Sequence, residues 1–219
     1  MFERKEYKKM ALEQLKGRWV NAVVTAGIYI LAEALLNYTM NVKFKNSYIA
    51  DFIFVASIVV NGIITMAVSY YFLKMSRTPE PMSFNDFLTG LSDYFIAGIC
   101  GMAWFMLWFL LWAFLFIIPG FVKAVSYSQM FFILAENPGM PVSHAMNLSK
   151  TMTYGRKGDL FVMFLSFTGW ILLSCVTGGI GFFVLCPYMM LSFSNAYTGL
   201  KTEALKCGIL TPADFAVRR

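Results

Sequence analysis

Residues 95–136 read FIAGICGMAWFMLWFLLWAFLFIIPGFVKAVSYSQMFFILAE. From residue 95, about twenty-four residues pass before Pro119 without a charge, and ~20 suffice to cross a ~30 Å hydrocarbon core. One unbroken helix over the whole stretch would be roughly 60 Å long, about twice that thickness. The stretch therefore reads as a transmembrane hairpin that turns at Pro119-Gly120 and runs apolar again to Glu136.

The rest of the chain has the same character. Of 219 residues, 58% are hydrophobic and 14% charged, and the mean hydropathy is +0.63. Soluble domains carry roughly 25% charged residues, so one polytopic, all-α membrane domain is expected. The polar stretches are too short to bury a core of their own. The formal charge is +6, but the basic residues fall in short loops between apolar runs. That pattern sets topology and excludes nucleic acid as a partner, which would need a basic, aromatic-bearing soluble face. Cys100, Cys175 and Cys186 lie in apolar runs and Cys207 in the tail, without CxxC spacing. They read as small hydrophobes, not as a disulfide framework or a metal site. Basic residues before the first apolar run, with Ala32-Glu33-Ala34 beyond, faintly resemble a signal peptide. The run continues to Leu36, which suits a retained anchor better.

Six spans are expected, at about residues 19–40, 51–73, 95–118, 121–136, 159–176 and 180–200. Residues 3–18 form an amphipathic helix with Tyr7, Ala11, Leu15 and Trp19 on one stripe and lysines off it, the pattern of a helix lying in an anionic interface. Ser83-Phe84-Asn85-Asp86 reads as a helix start, and a third short amphipathic helix starts at Pro141. Fifteen of the 18 Lys and Arg sit on the side of the two termini, with Lys43, Lys45 and Lys123 opposite, so both termini are expected in the cytoplasm.

Each pair of spans is thus preceded by a cytoplasmic amphipathic helix ending near a glycine (Gly17, Gly90, Gly155). Ala67-Val68-Ser69-Tyr70 in the second span matches Ala124-Val125-Ser126-Tyr127 in the fourth, and Leu191-Ser192-Phe193-Ser194 is a looser version in the sixth. The reading is three units, about 3–73, 83–136 and 141–204; the alternative is that hydrophobic hairpins resemble one another.

Intramembrane ionisable groups are functional candidates. Glu33 and Lys123 are both expected in the outer half, where they could pair as a polar substrate or proton site, or as a structural ion pair. Asn61, Gln129 and Asn195 fall on the second helix of each pair and suggest a shared polar interior, though interhelical hydrogen bonds explain them as well. Trp104, Trp108 and Trp112 share one face of the third span, for lipid, a partner or packing. Gly98 and Gly101 offer a close-packing notch on the same helix. His144 is an ordinary interfacial residue. No HExxH, phosphate loop, GxSxG elbow or catalytic carboxylate pair is present, so no enzyme, metal or cofactor is expected.

Several pieces together resemble a known family. They are Leu15-Lys16-Gly17-Arg18-Trp19, Phe87-Leu88-Thr89-Gly90-Leu91, Ile118-Pro119-Gly120 with Tyr127-Ser128, Asn137-Pro138, Ser149 with Gly155-Arg156-Lys157, Leu165-Ser166-Phe167-Thr168-Gly169-Trp170, and Pro187-Tyr188. In this order they resemble the bacterial integral-membrane family called domain of unknown function 975, over nearly the whole chain. The resemblance implies a six-span inner-membrane protein and brings no activity or catalytic residues. The expected function is a non-enzymatic transporter or binder of a lipidic or amphipathic ligand. The alternative is a structural or regulatory subunit packing through the Trp face and the glycine notch. Membrane lipids, a membrane-protein partner or a second copy are the partners in view.

Overall fold

In the computed structural model the described residues are 3–39, 49–80, 82–115 and 117–215, with the side chains of 49–53, 55 and 112–121 outside that set. The expected hairpin at residues 41–50 with Lys43 and Lys45, the Trp112 side chain and the tail arginines Arg218 and Arg219 lie outside the described residues.

Among the described residues the fold is all helical. Its elements are α1 (Arg4–Leu15), α2 (Trp19–Tyr38), α3 (Ile49–Arg77), α4 (Phe84–Asp93), α5 (Phe95–Leu115), α6 (Ile117–Tyr127), α7 (Met130–Glu136), α8 (Val142–Met152), α9 (Lys157–Leu165), α10 (Thr168–Val176) and α11 (Gly181–Lys206). A short 3₁₀ turn, Pro212–Phe215, follows.

Among the described residues three segments are long and apolar enough to cross a membrane: Trp19–Tyr38, Ala56–Arg77 and Lys157–Val176. There are four if Phe84–Asp93 and Phe95–Leu111, which meet at 68°, make one bent span. The sixth expected span, α11, is long but places Ser192, Ser194 and Asn195 in its middle. The fourth expected span is broken into α6 and α7 by a turn at Ser128-Gln129, where Ser128 Oγ bonds back to Val125 O at 2.8 Å, a local bond that competes with the helix ladder. α6 already begins at Ile117, ahead of the expected turn at Pro119-Gly120. Pro119 is the third residue of α6, in the first turn, where its missing N–H leaves no bond unmade. The fifth span is likewise two helices, interrupted at Ser166-Phe167. There Lys8 of α1 donates to Ser166 O at 3.3 Å and sits 3.8 Å over the Phe167 ring.

Packing follows a cyclic pattern. α4 lies against α3, α8 against α7, and α1 against α11. Each contact is built from small residues or a buried stripe. Gly90 is seated against Ala67 and Tyr70. Ala11 and Leu15 of α1 are fully buried, as are Ala145 and Ser149 of α8. Tyr7 rests on Gly199 of α11. The expected glycine ends divide here: Gly17 and Gly155 do close α1 and α8, with φ of 75° and 79°, a conformation that suits glycine. Gly90 instead stays helical and serves close approach.

The closest approach between helices is α3 against α5. A Cβ on Gly62 would stand 2.5 Å from Gly98 O, and one on Gly98 would stand 2.8 Å from Gly62 O. Gly101 faces Phe131 and Leu134 of α7. The notch read as a partner surface is therefore filled by the protein's own α3 and α7.

Two outcomes follow from this packing. Gly98→Ala should destabilise the protein by about 1–3 kcal/mol through overpacking against backbone, measured by thermal unfolding of the purified chain; unchanged stability would mean α3 and α5 are not in contact. The second concerns α4, whose N-terminus is a complete capping box: Asn85 N–H donates to Ser83 Oγ and Ser83 N–H to Asp86 Oδ2 at 2.8 Å. Hydrogen bonds from the Lys74 ammonium (2.7 Å) and then from Ser83 N–H hold the Asp86 carboxyl below its usual range. A depressed folded-state pKa contributes stability above the unfolded value of about 3.9 and loses it as pH falls through the folded value. Stability should therefore be flat from pH 5 to 8 and drop below about pH 4. Asp86→Asn should lose about 0.5–2 kcal/mol at neutral pH and flatten that acid limb.

Candidate functional site

The polar groups gather at three clefts and one central node. The node is where α3, α7 and α11 end together. Glu136 accepts from Arg77 at 3.1 Å and from Lys201 at 2.6 Å, and the Tyr197 hydroxyl donates to its other oxygen. Ser76 and Ser194 bond at 2.9 Å, and the Phe132 and Tyr197 rings stack at 5.8 Å. The interior shared by these three helices is closed by Met66, Phe132, Ile133 and Tyr197.

Around the node, each junction between a short helix and the helix after it bonds near the C-terminal end of α3, α7 or α11. Arg18, just past Gly17, donates to Thr78 O at 2.7 Å and to Met75 O and Glu80 O at 3.3 Å. Gln14 adds a bond to Ser76 O at 2.9 Å. Met75 and Ser76 lie in the last turn of α3, whose carbonyls have no intrahelical partners, and Thr78 and Glu80 follow it. Tyr94, between α4 and α5, donates to Ala135 O at 3.1 Å near the end of α7. Arg156, just past Gly155, bonds Glu203 near the end of α11. The residues of this ring were missed as a set by sequence reading. The signal was there in the Gly-Arg pairs 17–18 and 155–156, each at the seam between two helical patterns.

The first cleft, about 340 Å³, lies where α2, α3 and α5 meet, and Glu33, Asn61, Met102 and Met106 line it. Asn61 donates its amide to the Glu33 carboxylate, and Thr65 Oγ1 donates to Asn61 Oδ1 at 3.2 Å. The second cleft, about 270 Å³, opens where α8 crosses α5 and α6; Trp104, Trp108, Lys123, Ser143, Asn147 and Lys150 line it. The rings of Trp104 and Trp108 meet edge to face at 6.3 Å. The third cleft, about 670 Å³, lies at the polar end between α1, α3 and α11, with Glu6, Arg77, Asn195, Glu203 and Lys206 on its walls. There Asn195 and Gln14 exchange amide hydrogen bonds at 2.9 and 3.2 Å.

The expected Glu33–Lys123 pair is not brought together. Met102 and Met106 of α5 face the Glu33 cleft, while Trp104 and Trp108 face the Lys123 cleft. Two residues along a helix with 3.6 per turn is a rotation of about 200°, so α5 stands between the two groups as a wall. Lys123 instead shares its surroundings with Lys150 of α8 and Lys157 of α9, so it lies with those lysines and not on the opposite side as expected. Nor do Asn61, Gln129 and Asn195 share an interior. Asn61 belongs to the first cleft and Asn195 to the third. Gln129 is fully buried at the α6–α7 turn and donates to Ser128 Oγ at 3.0 Å. His144 bonds Asp214 O at 2.8 Å through a ring nitrogen.

A family model described as "Protein of unknown function (DUF975)" matches residues 1–130 and again 117–204. No curated protein and no solved structure matches the chain.

The node makes a testable demand. Glu136→Gln leaves the Arg77 and Lys201 cations facing each other and should destabilise the protein by about 1–3 kcal/mol, the range for a charged hydrogen bond. Adding Arg77→Gln should recover part of that loss in a double-mutant cycle followed by thermal unfolding. Strict additivity would remove the node from its central place.

Proposed function

The chain belongs to the DUF975 family, a family of unknown function, and from that premise we propose that it is a non-enzymatic, multi-pass protein of the bacterial cytoplasmic membrane that binds an anionic amphipathic lipid. In this reading six spans form three hairpins, in units of about 3–73, 83–136 and 141–204. Each is entered from an amphipathic helix at the cytoplasmic interface, with both termini on that side. The cyclic packing of α1, α4 and α8 supports it, as do the three junctions that hold helix ends. Parallel repeats of this kind suit a bundle with a pseudo-axis along the membrane normal. The excess of Lys and Arg on the same side supports the orientation.

The observation that carries the function is the Lys123–Lys150 cleft. Two ammonium groups share about 270 Å³ with two indole rings and the polar side chains of Ser143 and Asn147. Indole rings offer an apolar wall with a polar edge, and ammonium groups supply phosphate-binding point charges. Acidic headgroup and acyl chain would each find their counterpart. The subunit reading loses the notch on which it was built, because Gly98 and Gly101 are filled from within.

The test uses the full chain, purified in mild detergent and mixed with phosphatidylglycerol or phosphatidylcholine. Native mass spectrometry should retain the anionic lipid in preference. Lys123→Gln with Lys150→Gln should weaken that retention on the order of tenfold or more, at about 1 kcal/mol for each basic residue. Equal retention of both lipids by both proteins would sink the reading.

A further inference from the structure

The Glu33 cleft has the opposite chemistry, on the opposite face of α5, and its case does not lean on the lysine cleft. Glu33 lies fourteen residues past Trp19 and five before Tyr38 in α2, about 21 Å and about 7.5 Å from the two ends of the helix, inside an apolar segment. Carboxylates within such segments are costly and mark functional sites by default. Among the described residues no lysine or arginine forms an ion pair with it.

The polar atoms around it are arranged in one direction. Asn61 is held by Thr65 on its oxygen, which turns its amide hydrogens toward the Glu33 carboxylate. The Ser57 hydroxyl is committed to Phe54 O at 2.7 Å. Asn37 Nδ2 donates to Glu33 O, its own helix backbone, at 2.9 Å. Donors that could receive an anion are thus turned to the protein, and the charge presented to the cleft is negative. The remaining wall is soft and apolar: Phe54, Met102 and Met106. Aromatic faces attract cations, and thioethers are polarisable and adaptable. A small hard ion finds little here, since Ca²⁺ or Mg²⁺ needs six or more oxygen ligands and among the described residues Glu33 is the only carboxylate on the wall. About 340 Å³ falls at the small end of the range for organic ligands.

We propose that the cleft between α2, α3 and α5 is a binding site for a lipophilic organic cation, an ammonium- or phosphonium-type amphiphile, with Glu33 as its counter-charge. Asn61 and Thr65 are positioning residues that keep the carboxylate aimed. Phe54, Met102 and Met106 hold the apolar substituents. One protein then carries a cation cleft and an anion cleft on opposite faces of α5.

The experiment uses the full chain in phosphatidylcholine nanodiscs and tetraphenylphosphonium as probe, followed by isothermal titration. One site per chain is expected. Neutral triphenylphosphine oxide should bind at least tenfold more weakly, and Glu33→Gln should weaken the phosphonium by at least tenfold. A second variant guards against misfolding of the first: Met106→Arg leaves Glu33 in place but puts a fixed cation into the cleft, and should abolish phosphonium binding. A third readout is labelling by a lipophilic carbodiimide. The Glu33 carboxyl adds across the carbodiimide, its proton passing to nitrogen, and the acyl group then shifts from oxygen to nitrogen to leave a stable N-acylurea. Bound phosphonium should slow that mass gain. Equal binding by wild type and Glu33→Gln overturns the proposal, as does equal binding of the neutral oxide. Labelling of Glu33 that the phosphonium does not slow also overturns it, and would leave Glu33 a protonation site only.

Discussion

The Glu136 carboxylate is the point on which the polar end of the fold depends. It is the single anion shared by Arg77 of α3 and Lys201 of α11, and Tyr197 completes its hydrogen bonding. An exposed ion pair is worth at most about 1 kcal/mol, no more than an ordinary hydrogen bond. Glu136 therefore acts by joining two cations and a hydroxyl in one network across the three helix ends. Once those ends are fixed, the shorter amphipathic helices have somewhere to lie. α4 covers α3, α8 covers α7 and α1 covers α11. Arg18, Tyr94 and Arg156 then take up groups at the exposed ends.

A second constraint comes from α5. Its Gly98 must meet Gly62 backbone to backbone, which brings α3 against it without intervening side chains. That contact sets the rotation of α5, and the rotation decides which residues face which cleft. Met102 and Met106 are turned to Glu33, and Trp104 and Trp108 to Lys123. The same helix therefore divides an acidic pocket from a basic one. Helical periodicity alone produces the division: one set of residues is offset from the other by two positions.

Much of the helical layout was legible in the residues. The short amphipathic helices at 4–15, 84–93 and 142–152 follow from apolar stripes and from the capping box at Ser83. The α2 boundary follows from Trp19 and the apolar run beyond it. Other elements were not legible. The turn inside 121–136 and the break at Ser166-Phe167 sit in runs whose hydropathy never changes. Hydropathy reports solvent preference, whereas these breaks are caused by Ser side chains bonding to backbone three residues earlier. Among the described residues three or four segments qualify as spans by length and composition, and the stretch broken at Ser166-Phe167 is one of them.

The sequence by itself determined the class of the protein: a helical chain with several segments apolar enough to cross a membrane. Composition and period decide those properties residue by residue. It also singled out Glu33, Lys123, Asn61, Gln129 and Asn195, because a polar group in an apolar run is conspicuous anywhere. Which of them meet was decided only by the tertiary structure. Whether Glu33 faces Asn61 or Lys123 depends on the rotation of α5 about its axis, and that rotation is set by contact between Gly62 and Gly98, thirty-six positions apart in the chain.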